Sequence, residues 1–470
     1  MPAEGRAAVA SAPVLVVAPD AALRRELTGW VAIAVGALGI AGLFALLLAL
    51  SRVPGVEAIL PWPVAFFHKG LVIHVVFSFV VWFLAVFGAL ALLATDRLAS
   101  GTLPLPTLGL GAVAGSVLAL PMLFVPALLD RGQPTLNNYV PVIIDPLYYA
   151  GLGLLAVSIG CAAARLLAAV RPANLRQDGI AATIAAAALA CLLALACFAL
   201  TLRFLATTPY SHDFNEALMW GGGHVLQFVN TLLLIAAWSL LAAPFVARQA
   251  TSALALSSAL LLAGALLAPA FYFLFAPFSP EQTQAFTWLQ YILGPAAAIS
   301  AAAVLARLRR PWPWREPAFL AMALSMLLFA VGGALGLFVD GTDTRTPAHY
   351  HGVIAGVTLA FFGLFFSHFM PLLGKPIENP RRQRLILHLF AWGQLAACIG
   401  LFVAGGHGAP RKVAGEAQGL VDLAPMIGMA MNGLGGLVAV IGGILFVWTM
   451  AAALLRPAAD NNSLVRTTSR

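Results

Sequence analysis

The apolar positions of this chain fall in long unbroken runs, each bounded by Pro, Gly or charged residues. The runs cover residues 28–50, 71–95, 107–129, 147–170, 179–202, 219–244, 254–277, 287–308, 318–339, 348–373, 385–405 and 426–455. About 20 apolar residues in a helix cross the hydrocarbon core of a bilayer. A segment surrounded by lipid must satisfy its backbone polar groups internally, which leaves the helix as its form. The pattern therefore predicts an all-α integral membrane protein, a bundle of twelve transmembrane helices. Residues 28–455 form one membrane domain, flanked by short tails at 1–27 and 456–470.

Composition agrees and removes alternatives. Hydrophobic residues make up 61% of the chain, charged residues 9%, and the mean hydropathy is +0.94. A soluble domain carries about a quarter charged residues. The net charge of +8 does not point to nucleic acid, because the excess is topological. With the N-terminus placed inside, 19 of the 26 Lys and Arg residues fall at inner ends and loops and 7 at outer ones. The positive-inside rule then predicts that both termini are cytoplasmic and that the protein lies in the inner membrane of a bacterial cell. The four cysteines are scattered through apolar runs without a Cys-x-x-Cys spacing, and read as small apolar side chains.

The histidines change the picture. Of nine, five stand at or just inside the outer ends of three spans: His68 and His74 on the second, His224 on the sixth, His349 and His351 on the tenth. Alone, any of them reads as an interfacial hydrogen-bonded side chain. His74, His224, His349 and His351 share one depth on three helices, which points to a functional cluster, since neutral imidazole ligates metals and heme iron. In "TPAHYHGVIAG" (346–356) the two histidines are two residues apart, so they project roughly 200° apart around a helix. They cannot readily chelate one metal, but they can serve two centres on opposite sides of the helix.

"TPAHYHGVIAG" resembles the tenth-helix motif of the catalytic subunit of the heme–copper oxygen reductases and nitric oxide reductases. The resemblance runs over nearly the whole chain. It implies that His349 binds the high-spin heme of the reaction site and that His351 binds the low-spin heme delivering electrons. The second low-spin ligand comes from "HKGLVIH", where His74 is favoured over His68. "MWGGGHVLQF" resembles the sixth-helix motif supplying a copper ligand, which implies that role for His224. "GGHGAPRK" resembles the loop that places two cations on the heme propionates, which implies Arg411 and Lys412. The implied catalytic residues are His349 and His224, and the implied cofactors are two hemes and a copper. The implied partners are membrane lipid, a cytochrome c-type or quinol donor, and companion membrane subunits.

The chain departs from that family at the copper. The adjacent histidine pair of the seventh helix is missing, and apolar residues near Ala270 and Phe271 take its place. Four residues after His224 stands Phe228 where many oxygen reductases have a tyrosine; Tyr272 is a loose substitute. Leu226 stands where a proton-relaying glutamate is usual, and the eighth span has no lysine. One imidazole does not hold copper tightly. The readings left open are a divergent oxygen reductase, a nitric oxide reductase-like enzyme, a diheme electron-transfer or gas-sensing protein, and a proton-coupled transporter. A transporter would predict repeated halves, and no convincing internal repeat is present.

Overall fold

The computed structural model describes residues 20–50, 65–99, 102–339, 341–413 and 418–456. Most of both predicted tails therefore lies outside the described residues. Twelve helices are long and apolar enough to cross a membrane: α1 (Ala21–Leu48), α2 (Phe67–Leu98), α3 (Pro106–Leu128), α4 (Pro146–Ala169), α5 (Gly179–Phe204), α6 (His212–Phe245), α7 (Thr251–Leu274), α8 (Pro280–Leu305), α9 (Pro317–Phe338), α10 (Arg345–Leu372), α11 (Pro380–Gly406) and α12 (Leu423–Leu455). They match the twelve apolar runs one for one.

Several helices begin before their apolar run does. α6 starts at His212 and not near residue 219, because Ser211 accepts the backbone N–H of Phe214 and caps the first turn. His212 is thus the first residue of a helix, not of a loop. Ser279 does the same for α8 by accepting from the N–H of Gln282. A polar first turn is invisible to a hydrophobicity reading, but its cap fixes where the helix starts.

The bundle has an inside made of three helices. In the most apolar stretch, 78% of residues are buried in α2, 89% in α6 and 83% in α10, against 28–50% in the other nine. The three helices that carry His74, His224, His349 and His351 are therefore the core of the molecule, and the remainder form a shell around them. The centre is aromatic. Trp82 of α2 packs against Phe361, Phe362 and Phe365 of α10 and Phe446 of α12. A π-helical turn interrupts α2 at Val76–Val81, just after His74, and another interrupts α10 at Phe365–Phe369. Such turns add a residue to the helical register and recur at functional sites.

α3 and α4 are joined by a small hairpin, β1 (Gln133–Thr135) and β2 (Val142–Ile144). They pair antiparallel, with Thr135 opposite Val142. The tip of this hairpin lies on α6 and on the loop after α11.

Candidate functional site

His349 and His351 sit in the first two turns of α10, which is regular α-helix from Arg345 to Leu364. Their directions can be read from the residues that share their faces. Gly356 and Gly363 lie seven and fourteen residues beyond His349, within about 40° of its direction. A β-carbon on Gly356 would stand 2.9 Å from Phe329 Cβ of α9, and one on Gly363 would stand 2.8 Å from Ala321 of α9 and 2.9 Å from Leu241 of α6. The His349 face therefore looks toward α9 and α6. Phe362 lies eleven residues beyond His351, about 20° away in direction. It packs on Trp82 of α2, with ring centroids 6.2 Å apart. The same ring stacks on Phe446 of α12 at 3.7 Å, so the His351 face looks toward α2, the helix of His74, and α12.

The hydrogen bonds set the tautomers. His349 Nδ1 lies 2.7 Å from the Gly332 carbonyl oxygen. A carbonyl only accepts, so Nδ1 carries the proton and the lone pair is on Nε2. His74 Nδ1 lies 3.0 Å from the Ala41 carbonyl oxygen, with the same consequence. Fixing a ligating histidine through its other nitrogen is how proteins orient imidazoles toward metals. The seat of His349 depends on a missing side chain: a β-carbon on Gly336 would stand 2.6 Å from His349 Nδ1. His351 stacks on Tyr350, with ring centroids 5.3 Å apart. His68 is exposed and meets the edge of Phe67, which favours His74 as the inward histidine of α2.

His224 is buried to 1% exposure in α6. Its Nδ1 lies 2.6 Å from the Trp220 carbonyl oxygen, so this ring also has its lone pair on Nε2. That nitrogen lies 2.8 Å from the Tyr139 hydroxyl, which donates to it. Nothing in the sequence pattern singled out Tyr139, a lone tyrosine in a polar loop 85 residues away. Its backbone has φ 63, the left-handed region that residues other than Gly seldom enter. Such strain persists only where neighbours over-determine it. Here Glu216 accepts from the Asn138 backbone N–H at 2.7 Å and from Asn138 Nδ2 at 2.5 Å. Arg411 donates to Asn138 Oδ1 at 3.3 Å, and Lys412 Nζ donates to the Leu136 carbonyl. Burial and the Glu216 charge push the Tyr139 phenol above its usual range, which keeps it protonated.

Arg411 and Lys412 thus both meet the hairpin tip, at Asn138 and Leu136, beside the N-terminal end of α6. Burial, then repulsion from Arg411, lowers the Lys412 ammonium to about 8, with Glu216 opposing the shift. Tyr272 shares its hydrogen bond with Thr201 at 2.8 Å, and so its hydroxyl is engaged on α5. Phe228 is fully buried and packs where Gly264 of α7 leaves room.

Comparison with known proteins gives the family and the fold. Residues 27–438 match the family described as Cytochrome C and Quinol oxidase polypeptide I. An uncharacterised protein of Aquifex aeolicus is 29% identical over 364 residues, covering 74% of this chain and 86% of the relative. A cytochrome c oxidase subunit 1 of Thermus thermophilus is 32% identical over 159 residues, covering 31% of this chain and 28% of the relative. A solved heme-copper terminal oxidase dimer superposes with a TM-score of 0.73 at 15% identity, covering 94% of this chain and 86% of that one. The chain belongs to the Cytochrome C and Quinol oxidase polypeptide I family, as a subunit I-like member of the heme–copper oxidase superfamily.

Proposed function

We propose that this protein is a diheme membrane oxidoreductase. His74 and His351 would hold a low-spin heme and His349 a high-spin heme, whose chemistry would be the binding and reduction of a small gas. Oxygen is the first candidate for that gas and nitric oxide the second. The observation that carries this reading is the opposed pair on one central helix: His349 toward α9 and α6, His351 toward α2. The donor atoms fit the group, because His74 and His349 both have Nδ1 committed to a carbonyl and their lone pair on Nε2. When bound, heme iron supplies electron carriage and a position for the gas.

The chain's own residues do the rest. The Gly332 carbonyl holds the His349 ring in one orientation, and Gly336 leaves room for it. The aromatic centre around Trp82 keeps water out of the space between α2 and α10. Arg411 and Lys412 offer paired cations for carboxylates at the outer end. The electron donor is a cytochrome c-type protein or a quinol at the outer side of the inner membrane, and companion subunits complete the assembly.

A pyridine hemochrome assay with a carbon monoxide difference spectrum tests this directly. Two hemes per chain, one of them binding carbon monoxide, support it; a colourless protein defeats it. A second reading, a diheme electron-transfer or gas-sensing protein, is favoured by the engagement of His224 with Tyr139. Oxygen uptake with a reduced donor separates the two.

A further inference from the structure

The family implies a copper beside the high-spin heme, and the residues present do not fit it. Among the described residues there is no group of three or more His, Cys, Asp or Glu that could hold a metal ion. The one histidine in place, His224, has both ring nitrogens engaged: Nδ1 with the Trp220 carbonyl, Nε2 with the Tyr139 hydroxyl. A metal takes the Nε2 lone pair at about 2.0–2.1 Å. The same lone pair cannot also accept the phenol proton.

The arrangement around that hydrogen bond is built. Tyr139 is held in left-handed backbone at φ 63. Its ring lies against His224, with centroids 4.4 Å apart, and against the edge of Trp220 at 6.0 Å. Its seat exists because residue 223 is glycine: a β-carbon there would stand 2.6 Å from Tyr139 Cβ. The preceding residue is clamped by Glu216 and Arg411. Phe286 closes another side of His224, with ring centroids 5.9 Å apart.

We propose that the phenol of Tyr139 takes the ligand nitrogen of His224, so that the outer site holds one metal centre and a phenol–imidazole pair, with no second metal. Tyr139 is the positioning residue of this pair. It arrives from the α3–α4 hairpin and acts through a hydrogen bond. The inference deepens the reading above, from which it takes the heme on His349, but its test does not depend on that heme.

The full-length protein is purified from membranes of cells grown with added copper, and heme and copper are measured on the same sample. Heme without copper, below about one-tenth of an atom per chain, is expected. One copper per chain overturns the proposal and leaves the heme reading standing. No heme overturns the heme reading, while copper content still judges the pair. The ring nitrogens of His224 are then followed by nitrogen NMR in histidine-labelled wild type and Tyr139→Phe, with His224→Gln to assign the signals. The Nε2 signal is expected to move toward that of an unbonded imidazole nitrogen in Tyr139→Phe, while copper stays absent because one imidazole does not hold it. No movement in Tyr139→Phe overturns the role given to Tyr139. Gly223→Ala, which displaces the ring by contact and keeps the phenol, gives an independent variant with the same expected shift.

Discussion

The N-terminal parts of α10 and α6 use the same side chain to opposite effect. His349 and His224 both give Nδ1–H to a backbone carbonyl, at 2.7 and 2.6 Å. Both therefore have a ligand lone pair on Nε2. On α6 that lone pair is filled by a phenol from a strained loop. On α10 the histidine is seated by an absent side chain at Gly336, with its face toward α9 and α6. A histidine in a core helix is thus not yet a metal ligand; what meets its second nitrogen decides.

His351→Ala and His74→Ala should each remove the low-spin heme, so that heme per chain falls by half while carbon monoxide binding persists. His349→Ala should do the reverse and abolish carbon monoxide binding. Equal loss of both hemes in every variant would break the assignment of the two histidines to two centres. Gly336→Val comes next, because its side chain must displace the His349 ring. Overpacking of this kind costs about 1–3 kcal/mol, and the carbon monoxide-binding fraction should fall with the melting temperature.

On the α6 side, Glu216→Gln leaves the acceptor for Asn138 weaker and the hairpin tip looser. A hydrogen bond to a charged group contributes about 1.5–3 kcal/mol, so thermal unfolding should shift down by part of that with heme content retained. The smallest effect is expected from His68→Ala. This residue is exposed, and surface changes usually stay within about 0.5 kcal/mol. Heme content should match the wild type, in contrast to His74→Ala; a loss of heme would move the ligand from His74 to His68.

Much of this was legible in the sequence. Long apolar runs gave twelve helices because lipid permits little else. The spacing of His349 and His351 gave their opposed directions because α10 is regular helix there. The helix starts were less legible: Ser211 and Ser279 add polar turns ahead of the apolar runs of α6 and α8. The π-helical turns at Val76–Val81 and Phe365–Phe369 had no signal, since nothing in VFSFVV or FFSHF marks an added residue. Tyr139 was the largest omission. Its partner is 85 residues away, and its backbone takes a conformation the sequence pattern assigns to glycine. The loss of the copper histidines could be read directly, but what fills the space could be seen only in three dimensions.

In the proposed arrangement one central helix, α10, separates two hemes. Heme and carbon monoxide stoichiometry of the purified protein tests it most directly. Two hemes per chain with one carbon monoxide bound is the expected result. A single heme, two equivalent carbon monoxide-binding hemes, or a colourless protein would contradict it.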